Sequence, residues 1–159
     1  MNSAEKIMNS PELKAQSDLI TRSIEFNRES PCNDCPFSTH APYHGGVMND
    51  LELYAEMIKD GTLLHTCHKT DPRLPQDNDG TYDRPQQCPG ALMLQLNHDR
   101  AEESVRKSVV VKFAEAKGAD MNKFNRLSKT MKSVFLSLPD LISHYLTVGQ
   151  KELDERNGK

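Results

Sequence analysis

The chain predicts a mainly α-helical fold, with a small irregular four-cysteine metal-binding region packed with C-terminal helices. Three observations predict it. From Arg100 onward apolar residues recur at helical spacing, the pattern of amphipathic helices. Proline and glycine concentrate in 30–46 and again in 71–87, where they mark loops. The four cysteines of the chain, Cys32, Cys35, Cys67 and Cys88, all fall in that loop-rich middle.

The elements follow in order. Ser10, Pro11 and Glu12 supply a cap, a first-turn proline and a dipole-compatible acid, which predicts a helix over 10–29. Leu13, Ile20 and Ile24 form its apolar stripe. A loop over 30–46 follows. Asn49 and Glu52 have capping-box spacing and Gly61 stands at a C-terminal cap position, which predicts a helix over 50–60. The stretch 62–67 reads as an extended arm delivering Cys67. The stretch 71–87 is a polar loop, long for a compact domain, and the cysteines that bracket it suit pinning by a metal. A short apolar helix is expected over 91–97, and longer ones over 100–117 and 122–136. A last helix begins near Ser137 and carries Leu141, Ile142, Tyr145 and Leu146 inward until Gly149. The organisation expected is an N-terminal helix (1–30), a cysteine-rich metal-binding domain (31–97), a C-terminal helical part (98–149) and a charged, frayed tail (150–159).

Composition bounds the function. Hydrophobic residues make up 36% and aromatic residues 6%, with no Trp, thin for a large core, so a bound metal would help hold the loop-rich part. The net charge of −3 gives no global attraction to nucleic acid, and any such contact needs a local patch. The first thirty residues carry no apolar core of a secretory signal and no span is long enough for a membrane. The expectation is a cytoplasmic protein with no membrane partner. In that compartment thiols stay reduced, which favours metal ligation over any of the three disulfide pairings four cysteines allow.

Four thiolates close a tetrahedral zinc site or hold one iron–sulfur cluster. Cys32 and Cys35 form a Cys-x-x-Cys turn while Cys67 and Cys88 arrive singly. Zinc ribbons pair their knuckles at both ends. The lone arrivals and the Cys35-Pro36 and Cys88-Pro89 dipeptides therefore favour a 4Fe–4S cluster, with zinc as the alternative. His68, beside Cys67, is a candidate supporting residue or an alternative ligand. His40 and His44 read as solvated loop residues, and His65, His98 and His144 show no partner pattern; His144, on the last helix, is expected to face solvent. A thioredoxin-like redox role for Cys32 and Cys35 lacks the βαβ surroundings such a motif needs.

The run Ser30-Pro31-Cys32-Asn33-Asp34-Cys35-Pro36-Phe37, the dipeptide Cys67-His68 and the tripeptide Cys88-Pro89-Gly90 together resemble a small-protein family of bacteriophages and some bacteria. Its pattern is Cys-x-x-Cys-Pro, then Cys-His, then Cys-x-Gly. The resemblance covers about residues 31–92 and leaves the later helices aside. It implies a metal-binding domain of phage or prophage origin, in the cytoplasm of a bacterial host, and carries no established activity to transfer.

Lys123, Arg126, Lys129 and Lys132 recur every third residue. They are candidate nucleic-acid contacts, although such a stripe drifts around a helix and suits a solvated face as well. No carboxylate pair, phosphate-cradling loop or nucleophile elbow appears. The reading is a metal-binding accessory module, non-enzymatic, that engages a macromolecule such as nucleic acid or a host protein. The alternative is an iron–sulfur redox protein or enzyme.

Overall fold

The computed structural model describes residues 11, 22–31, 35–39, 50–103 and 108–158. Those residues form a mainly helical fold: α1 (Leu51–Asp60), α2 (Pro89–Ala101), α3 (Val109–Ala116), α4 (Met121–Thr130), α5 (Leu138–His144), a π-helical turn (Tyr145–Gly149) and α6 (Gln150–Arg156). Among the described residues there is no strand, only isolated bridges pairing Glu25 with Gln86, Thr66 with Gln87 and Ser38 with Val134. None of the described helices is long and apolar enough to cross a membrane.

The centre of the fold is α2. Every residue from Pro89 to His98 is buried, so this stretch of helix is enclosed on every face. Two of its buried polar side chains are answered by the backbone of neighbouring elements. Gln95 Nε2 donates to the Ile58 carbonyl at the end of α1 (3.0 Å) and Asn97 Nδ2 to the Phe135 carbonyl (2.9 Å). Such bonds recover the cost of burying an amide. Ile58, Leu63, Phe124, Leu141 and Tyr145 belong to the same buried core, and α1 packs directly against α5.

α1 ends where expected. Gly61 is left-handed (φ 69°), and its amide and that of Thr62 bond back to the Ile58 and Met57 carbonyls, the usual terminal arrangement around a C′ glycine. Elsewhere tertiary pairing changes the sequence-based helices. Arg22 and Ser23 are helical, but 24–29 is not, with Glu25 paired to Gln86, and residues 12–21 lie outside the described set. The single helix expected over 100–117 is interrupted by Glu103, which adopts φ 52°, a conformation that a helix cannot continue through. Val105 lies outside the described residues.

The helix expected over 122–136 stops at Thr130. The Thr39 amide donates to the Ser133 carbonyl (2.9 Å) and Ser38 bridges Val134, so 131–136 serves as a partner for the cysteine turn instead. α2 runs through residues 97 and 98 without a break. Gly149 does not end the last helix, and the expected frayed tail is helical to Arg156. Leu146, expected inward, is 61% exposed. His144, expected in solvent, is half-buried with its ring 5.0 Å from Phe135.

Candidate metal centre

Cys88 caps the N-terminus of α2, followed by Pro89 at the first helical position, where a missing amide hydrogen costs nothing. The Gly90 and Ala91 amides at this helix start pull the Cys88 thiol toward ionisation. That geometry favours a thiolate, as helix N-termini do. The Cys88 amide donates to the His65 carbonyl (2.7 Å) and the Cys67 amide to the Gln86 carbonyl (2.7 Å). With Thr66 opposite Gln87, this antiparallel register sets Cys67 diagonally across from Cys88.

Two glutamines hold the register in place of a sheet. Gln87 accepts from the His65 amide (2.8 Å) and donates to the Leu63 carbonyl (3.1 Å). Gln86 accepts from the Asn27 amide (2.8 Å), and its own amide donates to the Thr70 hydroxyl (2.9 Å). Both side chains are buried and bonded at both the oxygen and the nitrogen, so they act as extra rungs of the ladder.

Cys35 comes from a different part of the chain. Its carbonyl accepts from the Ser38 amide (3.0 Å), closing a β-turn with Pro36 at the favoured second position. Phe37 is fully buried against Tyr54 and His65, ring centroids 5.9 and 5.1 Å away. This seats the Cys35 sulfur 3.3 Å from that of Cys88, too far for a disulfide bond of about 2.05 Å. Gly90 makes room for the contact: a Cβ there would lie 2.6 Å from the Cys35 sulfur. The Cys35 sulfur hydrogen-bonded to it, and then burial, push the Cys88 thiol well above the usual range, against the pull of the Ala91 and Gly90 amides. Two buried sulfurs in contact resist carrying two negative charges, and a bound cation removes that resistance.

The sequence-predicted residues therefore divide. Cys35 and Cys88 meet. Cys67 is buried in the neighbouring ladder segment. Cys32 lies outside the described residues, as do His40 and His44. Among the described residues no group of three or more Cys, His, Asp or Glu side chains is close enough to hold a metal ion. His68 is half-buried in the turn that the Thr70 amide closes on the Cys67 carbonyl (2.9 Å).

Sequence reasoning overlooked His65. Burial between Phe37 and Tyr54, and then the nearby His68, lower it to about 4, so it is neutral beside the thiol pair. No sequence signal marked it: Leu64, His65 and Thr66 are all half-buried between buried Leu63 and Cys67. The long loop after Cys67 is clipped down by hydrogen bonds and ion pairs of its own. The Asp79 amide donates to the Lys69 carbonyl (2.9 Å), Arg28 pairs with Asp79 (3.1 Å) and Arg73 forks onto buried Asp71 (2.8 Å). Burial alone would raise Asp71, but the Arg73 hydrogen bonds outweigh it and hold the carboxyl below its ordinary value.

On α4, Arg126, Lys129 and Lys132 are exposed, the last just past the helix end, while Lys123 is half-buried and ion-paired with Glu29. Phe124 and Ser128 face inward from the same helix. Comparison with protein families, with curated proteins and with solved structures finds no match for the chain.

Proposed function

We propose that this chain is a metal-binding module in which Cys32, Cys35, Cys67 and Cys88 hold one ion and fix the cysteine loops against the helices. The observation that carries the reading is the 3.3 Å contact of the Cys35 and Cys88 sulfurs, buried beneath the side-chain-free face of Gly90. Thiols in such a contact are poor acids, and a soft divalent cation is what makes both thiolates favourable.

The distance also bears on the metal. Sulfurs around a tetrahedral zinc, each about 2.3 Å from it, stand about 3.8 Å apart. In a 4Fe–4S cluster each thiolate binds a different iron, which spreads the sulfurs well beyond contact. The pair is thus closer to a single-ion geometry, and zinc replaces the cluster as the favoured occupant. A closed set of four sulfurs leaves no open position for substrate, which favours a structural over an enzymatic role. Origin in a phage rests on the motif resemblance alone.

Anaerobic purification with metal and sulfide analysis tests the reading. One zinc per chain, lost in Cys35→Ser and in Cys88→Ser, is the expected result. Brown protein with matching iron and sulfide would restore the iron–sulfur redox alternative. Metal-free protein would overturn both.

A further inference from the structure

The thiol pair is assembled from two separately supported pieces of chain. Cys88 and its ladder partner His65 belong to the segments around Glu25, Thr66 and Gln86. Cys35 sits in the turn 35–38, which is bonded to the C-terminal region: the Thr39 amide donates to the Ser133 carbonyl, and the Tyr145 hydroxyl donates to the Pro36 carbonyl. In a β-turn the carbonyl of the second residue has no partner within the turn. Tyr145, with its side chain fully buried, supplies that partner from the C-terminal region.

We propose that Tyr145 is a positioning residue for the Cys35–Cys88 thiol pair: its hydroxyl holds the middle peptide of the 35–38 turn, and so keeps the Cys35 sulfur against that of Cys88. As a contribution to metal affinity this rests on the metal-binding reading above; as a statement about the thiol pair it does not. Burial and then the nearby Cys35 raise the Tyr145 hydroxyl far above its ordinary value, so it is a permanent donor. The local backbone delivers it. Tyr145 opens the π-helical turn, in which the Thr147 hydroxyl donates to the Ser143 carbonyl (2.8 Å). A hydroxyl on that carbonyl competes with the regular helix bond and favours the wider turn. Without the tyrosine hydroxyl the Pro36 carbonyl loses this bond and the middle peptide is free to rotate.

The test uses the full chain carrying Tyr145→Phe, which keeps the ring and removes only the oxygen. Ser137→Ala is the control. It removes the side-chain cap of α5, where the Ser137 hydroxyl accepts from the Asp140 amide (3.2 Å), without touching the turn. Two quantities are read: zinc affinity by competition with a chromophoric chelator, and the rate of thiol modification by an aromatic disulfide reagent in metal-free protein. Tyr145→Phe is expected to weaken zinc binding about tenfold or more, the range for residues that orient ligands, and to speed thiol modification. Ser137→Ala is expected to lower the melting temperature and leave both readouts near wild type. Wild-type values for both readouts in Tyr145→Phe, or equal changes in Ser137→Ala, would overturn the proposal. If wild type binds no zinc but Tyr145→Phe still exposes the thiols faster, positioning stands and the metal reading falls.

Discussion

Gly90 shows how one residue can obey two opposed rules. Within a helix, replacing glycine by alanine normally gains up to about 1 kcal/mol through propensity. Here the added carbon would meet the Cys35 sulfur at 2.6 Å and the Phe37 Cβ at 3.4 Å. Overpacking of this kind costs about 1–3 kcal/mol, and Phe37 is fully buried with no room to retreat. The clash outweighs the propensity gain. Gly90→Ala is therefore expected to destabilise metal-free protein in urea unfolding and to lower its zinc content. Unchanged or higher stability would mean that the two sulfurs do not rest against this helix. The Cys-x-Gly pattern made Gly90 visible in the sequence. Nothing in the sequence could reveal what the glycine accommodates, since the sulfur it faces arrives from more than fifty positions away.

At the level of elements, legibility followed locality. α1 was readable because its stop signal is local: Gly61 closes it with bonds to Ile58 and Met57. α5 was readable from Ser137 and Pro139, which cap and start it. The ends of the helices expected at 10–29 and 122–136 were not readable, because long-range pairing decides them. Glu25 with Gln86 and Ser38 with Val134 draw backbone groups away from helix, and no window of neighbouring residues records that competition. The same holds for the site: four cysteines in loops could be seen, but which two meet depends on a turn bonded to the C-terminal region. Gly61 offers a test at this scale. Its φ is 69°, and a Cβ there would fall 2.4 Å from the Ser108 Cβ at the start of α3. Gly80 has a similar φ of 71° but nothing within 4 Å. Alanine at either position incurs left-handed strain of about 1–3 kcal/mol, whereas only Gly61→Ala also pushes α1 and α3 apart. Thermal unfolding should show the larger loss for Gly61→Ala, and equal losses would argue against the close approach of these helices.

Over the whole molecule, charge sets the terms on which a partner can be met. The chain is acidic overall, at −3, yet Arg126, Lys129 and Lys132 stand exposed together. Lys123 is occupied by Glu29, so the four-residue stripe read from the sequence is reduced to three available cations. If that surface contacts a nucleic acid backbone, three phosphates are neutralised, and the logarithm of the binding constant should fall against the logarithm of salt with a slope of about −2 to −3. The acidic remainder repels the same ligand beyond the contact, so binding should be weak and confined to low ionic strength. Replacing one of the three, as in Lys129→Ala, should weaken binding for all sequences alike and make the slope shallower by about 1. Lys123→Ala should leave the slope as it was, because its charge is already neutralised within the fold. A fluorescence-anisotropy titration over a salt series separates these outcomes. Binding that ignores salt, or responds equally to Lys123 and Lys129, would locate the contact elsewhere. Absence of binding at low salt would leave α4 as an ordinary solvated face and direct the search toward a protein partner.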